Sequence, residues 1–152
     1  MPARLRLLVA VDFSAAARRA LRTAARLAAK TGAEITVAHV RPARDLLAAV
    51  QEDRPDLVRL EPMLLRRRLD AYYRHRLEAA AGRIPGASAL LLRGWPAIAI
   101  ARAAGRRYDM IVVGSRGRSG IRMAVLGSTT REILRRSRVP VLVVESPSRP
   151  KR

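Results

Sequence analysis

Apolar and polar residues fall into blocks along this chain, and the blocks switch between two periods. Leu7-Leu-Val-Ala-Val11, between Arg6 and Asp12, is a short continuous apolar run, the pattern of a strand covered on both faces. Beyond Phe13, with Ser14 as N-cap, apolar residues recur at Ala16, Ala20, Leu21, Ala24, Leu27 and Ala28, opposite Arg18, Arg19, Arg22 and Arg26. That spacing predicts an amphipathic helix closed at Thr31-Gly32. Glu34 to Val40 reads as a second strand, ended by Pro42. Met63 to Gly82 carries a second helical stripe, Leu64, Leu65, Leu69, Tyr72, Tyr73, Leu77 and Ala80, against a run of arginines. Ser88 to Gly94 is a third strand, followed by a helix that begins at Trp95-Pro96, where a proline's missing donor does no harm, and runs to about Gly105. Asp109 to Gly114 is a fourth strand. Thr129-x-x-Glu132 has the spacing of a capping box opening the last helix, and Val139 to Val144 is a fifth strand. Residues 41–62, broken by Pro42, Pro55 and Pro62, give only a possible short helix within Asp45 to Asp53.

Strands alternating with helices predict an α/β fold with a parallel sheet and right-handed crossovers. The length suits one domain, residues 1–145, with Ser146 to Arg152 as a disordered basic tail. Within that frame one stretch carries chemistry. Gly114-Ser115-Arg116-Gly117 follows the fourth strand, and after nine residues comes Gly127-Ser128, directly before the last helix. Glycines at a strand-to-helix turn let peptide N–H groups approach an anion closely, and the helix adds its unpaired first-turn donors and the positive end of its dipole. The plain alternative is that these glycines only permit tight turns. Asp12 is the second such position, because a carboxylate at the carboxyl end of a central strand lies where α/β folds place their ligands. Its alternative role is to cap the helix that follows.

Gly-x-x-Gly-x9-Gly-Ser, set within Val112 to Val144, resembles the nucleotide-binding signature of the universal stress protein family, as does Val11-Asp12-Phe13-Ser14 at the end of the first strand. The resemblance covers most of the chain except residues 41–62. It implies a five-stranded parallel sheet of order 3-2-1-4-5 with helices on both faces, Rossmann-like and akin to the adenine nucleotide alpha hydrolases. It implies ATP as ligand, with Mg2+ accompanying the phosphates. By the same resemblance, Val11 and Asp12 face the nucleoside and the backbone of Val40 meets the adenine edge. Gly114, Ser115 and Gly117 hold the ribose and phosphates, and Gly127, Ser128 and Thr129 the β and γ phosphates. A homodimer through Val139 to Val144 follows too, since an apolar edge strand invites pairing. Where such proteins often carry an acidic residue, this chain has Trp95.

Composition narrows the alternatives. There is no cysteine, so disulfides and thiolate metal sites are excluded. No apolar run approaches the ~20 residues a bilayer requires and Asp12 cuts off the first one, which makes the cytoplasm the default location. The formal charge of +19, almost all from arginine, favours anionic partners. Because the arginines are spread over nearly every helix, they read first as solvated faces, and nucleic-acid binding as weak and insensitive to sequence. The densest cluster, Arg66 to Arg76 with Tyr72 and Tyr73, is the place for such binding, and the helical spacing instead packs the tyrosines inward. No catalytic set is legible: the glycine loop has no lysine, so it is not a P-loop, and His39 and His75 read as structural. The expectation is a nucleotide-binding regulatory module of the stress response, with a slow ATP hydrolase or a basic nucleic-acid-binding module as alternatives.

Overall fold

The structure, a computed structural model, describes residues 4–41, 54–57, 62–116 and 126–145. The short apolar runs become five strands: β1 (Arg6–Ala10), β2 (Glu34–Arg41), β3 (Ser88–Arg93), β4 (Met110–Gly114) and β5 (Val141–Val144). The amphipathic segments become helices α1 (Ala15–Thr31), α2 (Pro62–Ala81), α3 (Pro96–Arg107) and α4 (Ser128–Arg136), and Pro55–Leu57 forms one 3-10 turn. All strand pairs are parallel and the order is β3-β2-β1-β4-β5, as the resemblance implies.

Alternation along each strand divides the core between the two faces of the sheet. Leu7 and Val9 of β1 join Ile35, Val37 and Val112 beneath Ala17, Ala20 and Ala24 of α1 and Leu77 of α2. Leu8, between them, points the other way and joins Ala38, Val40, Ile111 and Val113 beneath Ile100 and Ala104 of α3 and Ile133 of α4. Burial on both faces is why the central strands read as unbroken apolar runs. Alanines on α1 let that helix lie close to the sheet. The approach is tightest at Gly114, where a Cβ would stand 2.9 Å from the backbone of Ala16. Glycine there serves helix–strand packing, a role that the anion-site reading of the motif leaves out.

The boundaries differ from expectation in physically legible ways. β1 ends at Ala10, not Asp12, although the Val11 N–H still donates to the Ala38 carbonyl at 2.8 Å. β5 starts at Val141 because Pro140 has no N–H for the ladder; its carbonyl still accepts from Ile111 at 2.9 Å. The tyrosines of α2 do pack inward. Tyr73 is buried, Tyr72 is half-buried, and their rings meet at 5.2 Å. A buried ion pair between Asp70 and Arg41 ties α2 to the sheet, and Asp70 also takes the exposed Arg93. No described helix is long and apolar enough to cross a membrane.

Candidate functional site

The carboxyl ends of β1 and β4 lie side by side at the centre of the sheet, so the turns that follow them open on one crevice. In the β1–α1 turn, Asp12 is half-buried and its Oδ1 accepts the Ser14 N–H at 3.0 Å. Ser14 caps α1, its Oγ accepting from the Ala17 N–H at 3.1 Å. Asp12 thus shapes the turn and lines the crevice, while the cap weighed for it falls to Ser14. Phe13 between them has φ 63, a left-handed conformation unusual for a bulky side chain. The turn around it is secured by its surroundings. The Phe13 carbonyl accepts from Arg18 Nη1 at 2.9 Å, its ring lies 4.7 Å from His39, and the Arg76 guanidinium sits 4.1 Å over it.

His39 adds a tie that sequence reading assigned only to structure. Its Nδ1 is 2.7 Å from the Val11 carbonyl. A carbonyl only accepts, so Nδ1 carries the proton and the ring is fixed against the end of β1. The ring also packs 4.8 Å from Tyr73.

The β4–α4 turn is built from backbone and one hydroxyl. The Ser115 N–H donates to the Val144 carbonyl at 2.9 Å, the Gly127 N–H to the Ser115 carbonyl at 2.8 Å, and Thr130 Oγ1 to the Gly114 carbonyl at 2.9 Å. α4 then opens with Gly127 at its N-cap, no side-chain cap and no acidic residue in its first turn. The capping box expected from Thr129 and Glu132 does not form. Thr129 lies inside the helix, and Glu132 is drawn outward to Arg136 at 2.7 Å. Gly127 has φ −56 and ψ 152, which any residue adopts, so its glycine is not a conformational necessity.

Between the turns lies a cavity of about 250 Å³. Of the residues expected to bind, Val11, Asp12, Val40, Gly114, Gly127, Ser128 and Thr129 line it. Ser115 is buried and does not line it, while Gly117 lies outside the described residues. The lining also holds residues that the motif did not single out. Ala38 and His39 come from β2, Pro96 and Ile100 from α3, Arg116 from the loop, and Thr130 and Ile133 from α4. Pro96 and Ile100 are one helical turn apart, a spacing visible in the sequence, but only the strand order brings them to the crevice. The wall is thus apolar toward β2 and α3, and rich in backbone donors with one guanidinium toward α4. Among the described residues no group of three or more His, Cys, Asp or Glu is placed to hold a metal.

The universal stress protein family model matches residues 4–145 of this chain. A universal stress protein of Thermus aquaticus, from the region 3′ of a QAH/OAS sulfhydrylase, is 36% identical over 144 residues, 91% of this chain and 96% of that protein. Among solved structures, the universal stress protein of Archaeoglobus fulgidus in complex with dAMP superposes with a TM-score of 0.59 at 26% identity, covering 94% of this chain and 98% of that one. A universal stress protein in complex with cAMP superposes with a TM-score of 0.65 at 24% identity, again over 94% and 98%.

Proposed function

We propose that this chain, which belongs to the universal stress protein family, binds an adenine nucleotide in the crevice, ATP foremost, and works as a nucleotide-binding regulatory module. One observation carries the reading: the uncapped N-terminus of α4 opens into the same cavity as the apolar wall of Ala38, Val40 and Ile100. A nucleotide is a ligand of that form, with a flat apolar base at one end and anionic phosphates at the other. The relatives solved with dAMP and with cAMP support the adenine assignment.

In this reading the base lies along the apolar wall, with its edge at the Val40 backbone. Val11 and Asp12 face the nucleoside. The turn that begins at Gly114 borders the ribose and inner phosphates, and the N–H groups of Ser128 and Thr129, with the Ser128 hydroxyl, take the outer ones; the Ser115 and Gly127 N–H groups, given to the Val144 and Ser115 carbonyls, brace the turn instead. Mg2+ enters with the phosphates, since Asp12 is the one carboxylate among the residues lining the cavity. We expect turnover far below the ~10 s⁻¹ of a median enzyme, because no lysine stands between Gly114 and Thr130 to pair with a transferring phosphate. Mass spectrometry of the denatured, freshly purified protein tests the ligand, and titration calorimetry with ATP tests the affinity. A protein that carries no nucleotide and takes up none in the calorimeter overturns the proposal.

A homodimer belongs to the same proposal. β5 ends the sheet and is half-buried along its length, and antiparallel pairing with a second copy closes that edge. Light scattering that finds the wild type monomeric refutes the pairing; a dimer lost in Val141→Lys, Val143→Lys supports it.

A further inference from the structure

Trp95, the chain's one tryptophan, is 59% exposed and directly precedes Pro96, which lines the cavity. It occupies the N-cap of α3 and makes no side-chain cap hydrogen bond there. Ser, Thr, Asp or Asn at an N-cap contributes typically about 1 kcal/mol, which this position forgoes.

Its place in the fold points to the crevice. Gly94, at φ 118, turns the chain sharply after β3, and its N–H donates to the Arg41 carbonyl at 3.2 Å. That bond ties the β3–α3 turn to the residue directly after Val40, whose side of the cavity is apolar. Pro96, next to Trp95, lines the cavity, as does Ile100 one turn on. The Ala99 N–H donates to the Trp95 carbonyl at 2.9 Å and Pro96 fixes its own φ, so the backbone carrying the indole is held rigidly. β3 lies on the far side of β2 and β1 from β4, so this turn borders the end of the crevice away from the α4 N-terminus. Phosphates at α4 leave the base at the Trp95 end.

We propose that the Trp95 indole stacks on the nucleotide base at the mouth of the crevice, which makes residue 95 an affinity determinant. This rests on the nucleotide-binding reading above. Base–aromatic stacking needs no hydrogen-bond match, because every base has a π-face. Trp95 therefore strengthens binding of the base in proportion to overlap, purines more than pyrimidines, and contributes nothing to binding of the phosphates.

The test uses the full chain and three measurements. Calorimetry first establishes whether ATP binds the wild type. The emission of the single tryptophan is then followed during titration with ATP and, separately, with inorganic tripolyphosphate, which has no base. Last, Trp95→Ala and Trp95→Phe are titrated with both ligands. ATP should quench the indole and tripolyphosphate should not. Trp95→Ala should weaken ATP about tenfold and leave tripolyphosphate unchanged, and Trp95→Phe should stay within about threefold of wild type, stacking being worth roughly 1–3 kcal/mol per base. Unchanged emission with ATP bound, or wild-type ATP affinity in Trp95→Ala, overturns the Trp95 assignment while leaving nucleotide binding in place. No ATP uptake by the wild type overturns nucleotide binding itself, and this assignment with it.

Discussion

The two turns that meet at the centre of the crevice treat their helix N-termini in opposite ways. At β1–α1, side chains use the free donors: Asp12 takes the Ser14 N–H and Ser14 takes the Ala17 N–H. At β4–α4, Gly127 is the N-cap, no side chain caps the helix and its first turn holds no acid. A helix end presents four unpaired N–H groups, and whatever a side chain satisfies is no longer offered to a ligand. Both turns resemble the same family signature, yet only α4 leaves its first turn without a side-chain cap, while α1 uses its donors on Asp12 and Ser14. In the proposed binding mode this gives the nucleotide a direction, phosphates toward α4 and nucleoside toward Asp12.

The contrast is broken most severely by giving α4 the cap that α1 has. Gly127→Asp fits the observed backbone, since φ −56 and ψ 152 suit any residue. An N-cap aspartate matches or slightly betters glycine for helix stability. Its carboxylate would occupy the donors and meet the phosphates at close range, where like charges repel by about 4 kcal/mol at an effective dielectric of 20. Affinity for ATP should fall by about 100-fold or more, with a melting temperature at or above wild type. Calorimetry and thermal unfolding on one preparation check both signs, and ATP binding kept within severalfold would move the phosphates away from α4.

The next change separates the two jobs of Asp12. Asp12→Asn keeps an oxygen acceptor for the Ser14 N–H and removes the charge. If the carboxylate faces the nucleoside or the accompanying ion, ATP affinity drops about tenfold, near 1.4 kcal/mol, with stability little changed. Equal affinity in calorimetry would leave Asp12 a turn residue alone. Smaller still is Ser14→Ala. It removes the side-chain cap of α1 and should cost about 1 kcal/mol in urea unfolding, with ATP affinity unmoved. A matching loss of affinity would show that the capped turn, too, holds ligand.

Much of this was legible in the sequence, and what escaped did so for identifiable reasons. The alternation of the apolar blocks gives the α/β class and every strand and helix described, and the Ser14 cap, the Gly32 stop and the Pro96 start are written in the residue types. The family signature brings seven of the expected site residues, Val11, Asp12, Val40, Gly114, Gly127, Ser128 and Thr129, to one cavity. The opposite wall was not legible. Ala38, Pro96, Ile100 and Ile133 look like ordinary core positions, and only strand order turns them toward a ligand. The role of Gly114 was half read: the motif suggests backbone approach to an anion, whereas the contact that excludes a side chain is with Ala16. The capping box failed because Thr129-x-x-Glu132 is a local pattern and the helix starts earlier: with Gly127 at the N-cap both residues lie inside α4, where Glu132 pairs with two arginines one turn further along.

That failed box supplies the smallest effect. Glu132 is the one acidic residue of α4 and lies just beyond the first-turn donors that the phosphates need. Arg136 Nε holds it at 2.7 Å and Arg135 Nη1 at 3.3 Å, on the outer side of the helix. Its pKa lies below the usual glutamate value, first because of the hydrogen bond from Arg136, with the charges of Arg136, Arg135 and Arg131 adding to it. A carboxyl whose folded pKa is depressed stabilises the fold above its unfolded value, about 4.3, and loses that contribution as pH falls through the folded value. Glu132→Gln should therefore melt slightly below wild type at neutral pH, and the gap should close on acidification through that window. The gap should also shrink in high salt, since the pair is exposed. ATP affinity should be equal in the two proteins at neutral pH, because a carboxylate held outward neither feeds nor starves the first-turn donors. If Glu132→Gln instead tightens ATP severalfold, the glutamate does reach back over α4 in solution, and the open helix end is open only when the nucleotide displaces it.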